Sequence, residues 1–129
     1  MYSCTTWLSE IELAAEPISA SRSRRFVRHV LAEHELSHLT DDVELVVSEL
    51  ATNAMAHAPT SFKVTLQVVE PMLLLAVEND YHTEAVSVAS RRLDAERRAV
   101  AIVQLLSHDC GVDVLANGRR SVWAAFDLR

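Results

Sequence analysis

Phe62, Val64, Leu66 and Val68 fall at every second position with Lys63, Thr65 and Gln67 between them, and this period of two predicts a strand with one buried face over 62–69. Met72 to Val77 is almost continuously apolar and follows across Glu70-Pro71, a tight turn, so the two runs read as a hairpin. Elsewhere the period is close to 3.6. Val46, Val47, Leu50 and Ala54 make a helical stripe, with Thr40 as N-cap, Asp41 and Asp42 in the first turn and Pro59 beyond the last. Pro17 suits a first helical turn, and Phe26, Val27, Val30 and Leu31 form the apolar face of a helix ending near His34 or Leu36, with Arg22, Arg24, Arg25 and Arg28 largely turned elsewhere. Ala99, Ile102, Val103 and Leu106 lie on one side of a third helix.

Two weaker patterns complete the series. Trp7, Ile11 and Leu13 alternate loosely, as in an edge strand. Val112, Val114 and Leu115 precede Asn117-Gly118, and Val122, Trp123, Ala125, Phe126 and Leu128 follow it; Asn-Gly between apolar runs is a strong hairpin signal. Arg119 and Arg120 then belong to the hairpin tip. Glu78 to Asp94 shows no clean period and reads as an irregular, lid-like connection. The order strand, helix, helix, two strands, connection, helix, two strands predicts an α+β fold, a two-layer sandwich with a mainly antiparallel sheet covered on one face by about three helices.

The 129 residues suit one domain over 1–129, large enough to bury about two thirds of the unfolded surface. Twelve basic against eighteen acidic residues leave a net charge of −6, which argues against a sequence-independent grip on nucleic acid or anionic membrane. Cys4 and Cys110 show neither a CxxC nor a neighbouring His at ligand spacing, so no disulfide framework or zinc site is signalled. His29, His34, His38, His82 and His108 share no metal-ligand spacing. The N-terminal residues carry acids rather than a basic segment, and no run approaches the about 18 apolar residues of a membrane span, so a soluble, cytoplasmic protein is expected.

Chemistry concentrates in the second helix. Steps of four residues advance about 40° around a helix, so Glu49, Asn53 and His57 share one face beside the apolar stripe. A carboxylate can take a proton from a water or hydroxyl, and the Asn53 oxygen can bind a hard cation such as Mg²⁺. The string Glu49-Leu50, Asn53-Ala54, His57 resembles the N-box of the GHKL ATPases, the group containing gyrase, heat-shock chaperone, sensor histidine kinase and mismatch-repair ATPases. Ser23-Arg24-Arg25-Phe26-Val27 and the run from Leu39 to Leu50 are similar to the small stand-alone, chiefly actinobacterial members of the anti-sigma-factor serine-kinase branch.

That resemblance spans nearly the whole chain and implies the Bergerat-type two-layer fold, with nucleotide between the helices and a lid. It implies Glu49 as catalytic base, Asn53 as the Mg²⁺ ligand, His57 beside the nucleotide, and Asn79 or Asp80 facing the adenine of ATP. It also implies a protein partner, either a sigma factor or an antagonist that is phosphorylated. Apolar residues on the first helix or N-terminal strand would further allow a homodimer.

The chain departs from the pattern in two places. Asn79 stands where the family has an Asp that receives the adenine amino group, and an amide oxygen accepts without the strength that charge adds. Asn79 to His82 also suits an ordinary polar turn. Glu96, Arg97, Arg98 and Ala99 stand where glycines usually let backbone N–H groups cradle phosphates, and Gly111 and Gly118 are the only glycines in the chain. Arg97 and Arg98, with Arg91 and Arg92, could offer guanidinium groups instead, though Asp94 and Glu96 among them suit a solvated surface equally. Two functions stay open: a GHKL-type serine kinase using Mg·ATP, and a regulatory binding module or dimerisation scaffold that keeps the fold without turnover, at the limit nucleotide-free.

Overall fold

The computed structural model describes residues 7–80 and 89–129, with the backbone alone at 89–97. Along these residues run β1 (Leu8–Leu13), α1 (Ile18–Glu33), a 3-10 turn (Ser37–Leu39), α2 (Thr40–His57), β2 (Phe62–Val69), β3 (Met72–Asp80), α3 (Ala89–Leu106), β4 (Asp109–Val114) and β5 (Arg119–Asp127). The strands form one antiparallel sheet in the order β1-β2-β3-β5-β4. This is the expected α+β architecture, a sheet with helices on one face.

Register explains which face is covered. Val64, Leu66 and Val68 of β2 stand opposite Val77, Leu75 and Leu73 of β3, which in turn stand opposite Val122, Ala124 and Phe126 of β5. All except the half-buried Val122 are buried, and they join Val27, Leu31, Val43, Val46, Val47 and Leu50 of the helices in one core cluster. On α1 the buried line also includes Ser19 and Ser23, both fully buried. Their hydroxyls donate to the carbonyls of Ala14 (2.6 Å) and Ser19 (2.8 Å), so two polar residues lie in the packed face with their hydrogen bonds made.

Three boundaries differ from the periodicity. β3 continues past Val77 to Asp80, because Glu78, Asn79 and Asp80 pair with Ser121, Arg120 and Arg119 of β5. α3 begins at Ala89, since residues 89–98 combine Ala, Arg, Leu and Glu, which favour helix without forming an apolar stripe. The expected irregular connection over Glu78 to Asp94 is therefore strand at its start and helix at its end; its middle, 81–88, lies outside the described residues. Thr40 is not an N-cap. It has helical dihedrals (φ −57°, ψ −47°) as the first residue of α2, which grows directly out of the preceding 3-10 turn.

The two hairpins follow their turn residues. Glu70-Pro71 is a cis peptide between β2 and β3. Gly118 has φ +85° in the turn from β4 to β5, a conformation that glycine adopts freely, and its N–H donates to Leu115 O at 2.9 Å. Arg119 and Arg120 are half-buried strand residues rather than a hairpin tip.

Gly111 is required for a different reason: a Cβ there would lie 2.7 Å from the Trp123 ring on the neighbouring strand. Gly111→Ala is expected to cost about 1–3 kcal/mol by overpacking against a rigid indole. Urea unfolding and near-UV circular dichroism check it; an unchanged midpoint with a changed Trp signal would mean that the ring swings aside without cost.

Candidate functional site

α2 presents two faces, as its pattern requires. Val43, Val46, Val47, Leu50, Ala51 and Ala54 are buried, while Glu49, Asn53 and His57 are half-buried along one neighbouring line. Helical spacing alone brings these three polar residues together.

Asn79 meets the same helix from the sheet. It is 1 % exposed, on the covered face at the end of β3, and its Nδ2 donates to Ala54 O at 3.0 Å. Ala54 O also accepts the backbone N–H of Ala58 at 3.1 Å, so both of its lone pairs are used where α2 ends. A carbonyl partner demands the amide nitrogen, which leaves Asn79 its Oδ1 and one further N–H to offer elsewhere. The polar-turn reading of Asn79 and Asp80 is corrected accordingly: both are paired strand residues.

Strand alternation separates Asp80 from Asn79. Asp80 points to the opposite face of the sheet, where Arg119 Nε lies 3.3 Å from its Oδ1. Arg119 also approaches Glu78 Oε2 at 3.5 Å and donates to Ser61 O and Glu78 O at 3.4 Å, so one guanidinium gathers the ends of β3 and β5. Asp80 is thus not brought to the α2 site.

Arg98 is exposed on α3, and the Arg97 side chain lies outside the described residues. More informative is the backbone. Positions 96–99 are well inside α3, beyond the first turn in which backbone N–H groups lack intrahelical partners. They form no phosphate-cradling loop, whichever side chains they carry.

Between α2, α3 and the β4–β5 hairpin lies a cavity of about 230 Å³. Leu50, Ala99, Val103 and Val122 make its apolar walls, and Asn53 and Gln104 contribute carboxamides. Asn53 is the one residue of the expected set on these walls among the described residues; Glu49 and His57 lie one turn to either side along α2. Cys110, a free thiol, and Gly111 complete the floor from β4.

Sequence pattern missed Gln104 and Arg24. Gln104 follows Val103 and sits four positions from Val100, a spacing that reads as a polar break in the α3 stripe. Arg24 reaches from α1 to donate to Ser48 Oγ at 2.6 Å, beside Glu49. One turn along, Arg28 grips Glu44 with two bonds of 2.8 and 3.1 Å, and this pairing raises the Arg28 pKa through its hydrogen bond and charge attraction. Helix-on-helix geometry, invisible in a one-dimensional pattern, turns part of the arginine face of α1 toward α2.

No protein-family model matches the chain, and no curated protein matches its sequence. Among the described residues no helix is long and apolar enough to cross a membrane.

Proposed function

We propose that this chain is a regulatory protein of the anti-sigma-factor serine-kinase type, with a GHKL-like purine site on α2, acting by binding another protein. The observation that carries the reading is the junction of Asn79 with Ala54. The strand end and the helix that the resemblance sets around an adenine are bonded to each other at Ala54, and the preceding residue of α2, Asn53, lies on the wall of an apolar cavity.

The residues present fit the base half of ATP better than its phosphate half. A cavity of about 230 Å³ is smaller than the roughly 300–1,000 Å³ that encloses a drug-sized ligand, so it suits a purine ring rather than a whole nucleotide. Asn53 and Gln104 on its walls each carry an acceptor oxygen, the group an exocyclic amino needs, whereas the buried Asn79 does not line it. Asn53 offers a single oxygen, and no group of three or more His, Cys, Asp or Glu among the described residues could hold a metal ion, so Mg²⁺ would depend on phosphate oxygens and water for most of its ligands. In this reading ATP would supply the phosphoryl group, and Glu49 would take the proton of a seryl hydroxyl. The helical backbone at 96–99 favours a second reading, a binding module in which nucleotide binds weakly without turnover.

Isothermal titration with ATP and ADP, with and without Mg²⁺, tests the site. Asn53→Ala is expected to weaken Mg·ATP at least tenfold, about 1.4 kcal/mol, while changing stability by no more than about 0.5 kcal/mol because the residue is half-buried. No heat and no rise in Tm at saturating nucleotide for the wild type would leave the nucleotide-free module as the function.

A further inference from the structure

The face of the sheet turned away from the helices is apolar at its centre and acidic around it. Leu74 and Ala76 of β3 stand beside Ala125 and Trp123 of β5, and Leu8 of β1, 58 % exposed, extends the strip past Gln67. An uncovered antiparallel face is ordinarily polar throughout. Here one row across the sheet reads Glu12, Lys63, Glu78, Ser121, Asp113. Asp80 faces outward opposite Arg119, and Glu10, Asp109 and Asp127 fill further outward positions. Among the described residues, seven carboxylates against Lys63 and Arg119 leave this face at a net −5, beside −6 for the whole chain.

Its two cations are already engaged. Lys63 Nζ lies 3.7 Å from both Glu10 and Glu78, and Arg119 lies between Glu78 and Asp80. The unbalanced charge that remains is negative.

We propose that this face docks a protein partner through an amphipathic helix whose apolar stripe is flanked by Lys and Arg. Complementarity of charge selects the flanks, and Leu74, Ala76 and Trp123 receive the stripe. Three adjacent strands span roughly 10 Å at their usual spacing, the width of one helix. A second copy of this chain would set −5 against −5, and nucleic acid or an anionic membrane is repelled for the same reason. The inference shares with the proposed function only the expectation of a protein partner. Its test needs no nucleotide, so failure of either leaves the other measurable.

The probe is a 14-residue amidated peptide of Leu and Lys patterned as an amphipathic helix, against a control of the same composition scrambled to break the stripe. In a Trp7→Phe background, where emission reports Trp123, the patterned peptide is expected to shift the emission saturably and bind at least tenfold tighter than the control at physiological salt. Glu12→Lys with Asp113→Lys, both at outward positions, should weaken that binding at least tenfold. Equal affinity for the two peptides, an unchanged affinity in the double variant, or sedimentation showing a dimer that shields Trp123 would overturn the proposal.

Discussion

Phe62→Ala is expected to remove about 3–5 kcal/mol of folding free energy, a large part of the 5–15 kcal/mol typical of a domain. Phe62 is the largest fully buried side chain among the described residues, at the first position of β2, with Leu13 of β1 on one side and Asn79 of β3 on the other. Truncation removes its transfer free energy and opens a void in a row that a backbone pairing on both sides prevents from collapsing. The void borders Asn79, so the bond to Ala54 should loosen with it. Urea unfolding should show a lower midpoint at an unchanged slope; a loss below about 1 kcal/mol would mean that this end of the sheet is not closely packed.

Asn79→Asp, which restores the residue the resembled family carries, is expected to destabilise by about 2–3 kcal/mol at pH 8. The substitution exchanges a donor for an acceptor that faces the carbonyl oxygen of Ala54. Burial and that oxygen both disfavour the ionised form, so the folded-state pKa of the new carboxyl rises above its unfolded value near 3.9. The folded chain then binds more protons than the unfolded one. Stability is full below the unfolded pKa, where the protonated acid can donate to Ala54, and is lost as pH climbs toward the folded pKa. Unfolding at pH 4.5, 6 and 8 beside the wild type checks the sign. A variant as stable as wild type at pH 8 would place a cation on the carboxylate, with Arg120 the residue opposite on β5.

That expectation bears on function. If an aspartate is costly here, the asparagine is fitted to a strand end bonded directly to α2, and under the proposed function the polar group at that strand end is an amide rather than a carboxylate. The positions that the resemblance would make a phosphate loop lie instead within α3.

Strand and helix identity were legible where burial on one face imposes a period. Phe62 to Val68 alternates because every second side chain meets the helices, and Val46, Val47, Leu50 and Ala54 recur because one side of α2 meets the sheet. The same periodicity placed Glu49, Asn53 and His57 on one face. It failed where the sequence carries no apolar period: residues 78–80 are strand because β5 pairs with them, and 89–94 are helix through local propensity.

The sequence by itself determined the class of fold, the order of its elements and the polar line on α2, because each follows from side-chain period, turn residues and spacing along a single element. Only the tertiary structure decided that Asn79 binds Ala54 while Asp80 turns to the far face, that Asn53 shares a cavity with Gln104, that Arg24 reaches Ser48, and that the outward face of the sheet gathers a net negative charge. These are relations between residues from 24 to about 100 positions apart in the chain. They depend on which strands pair and how the helices lie across them, and no local period encodes either.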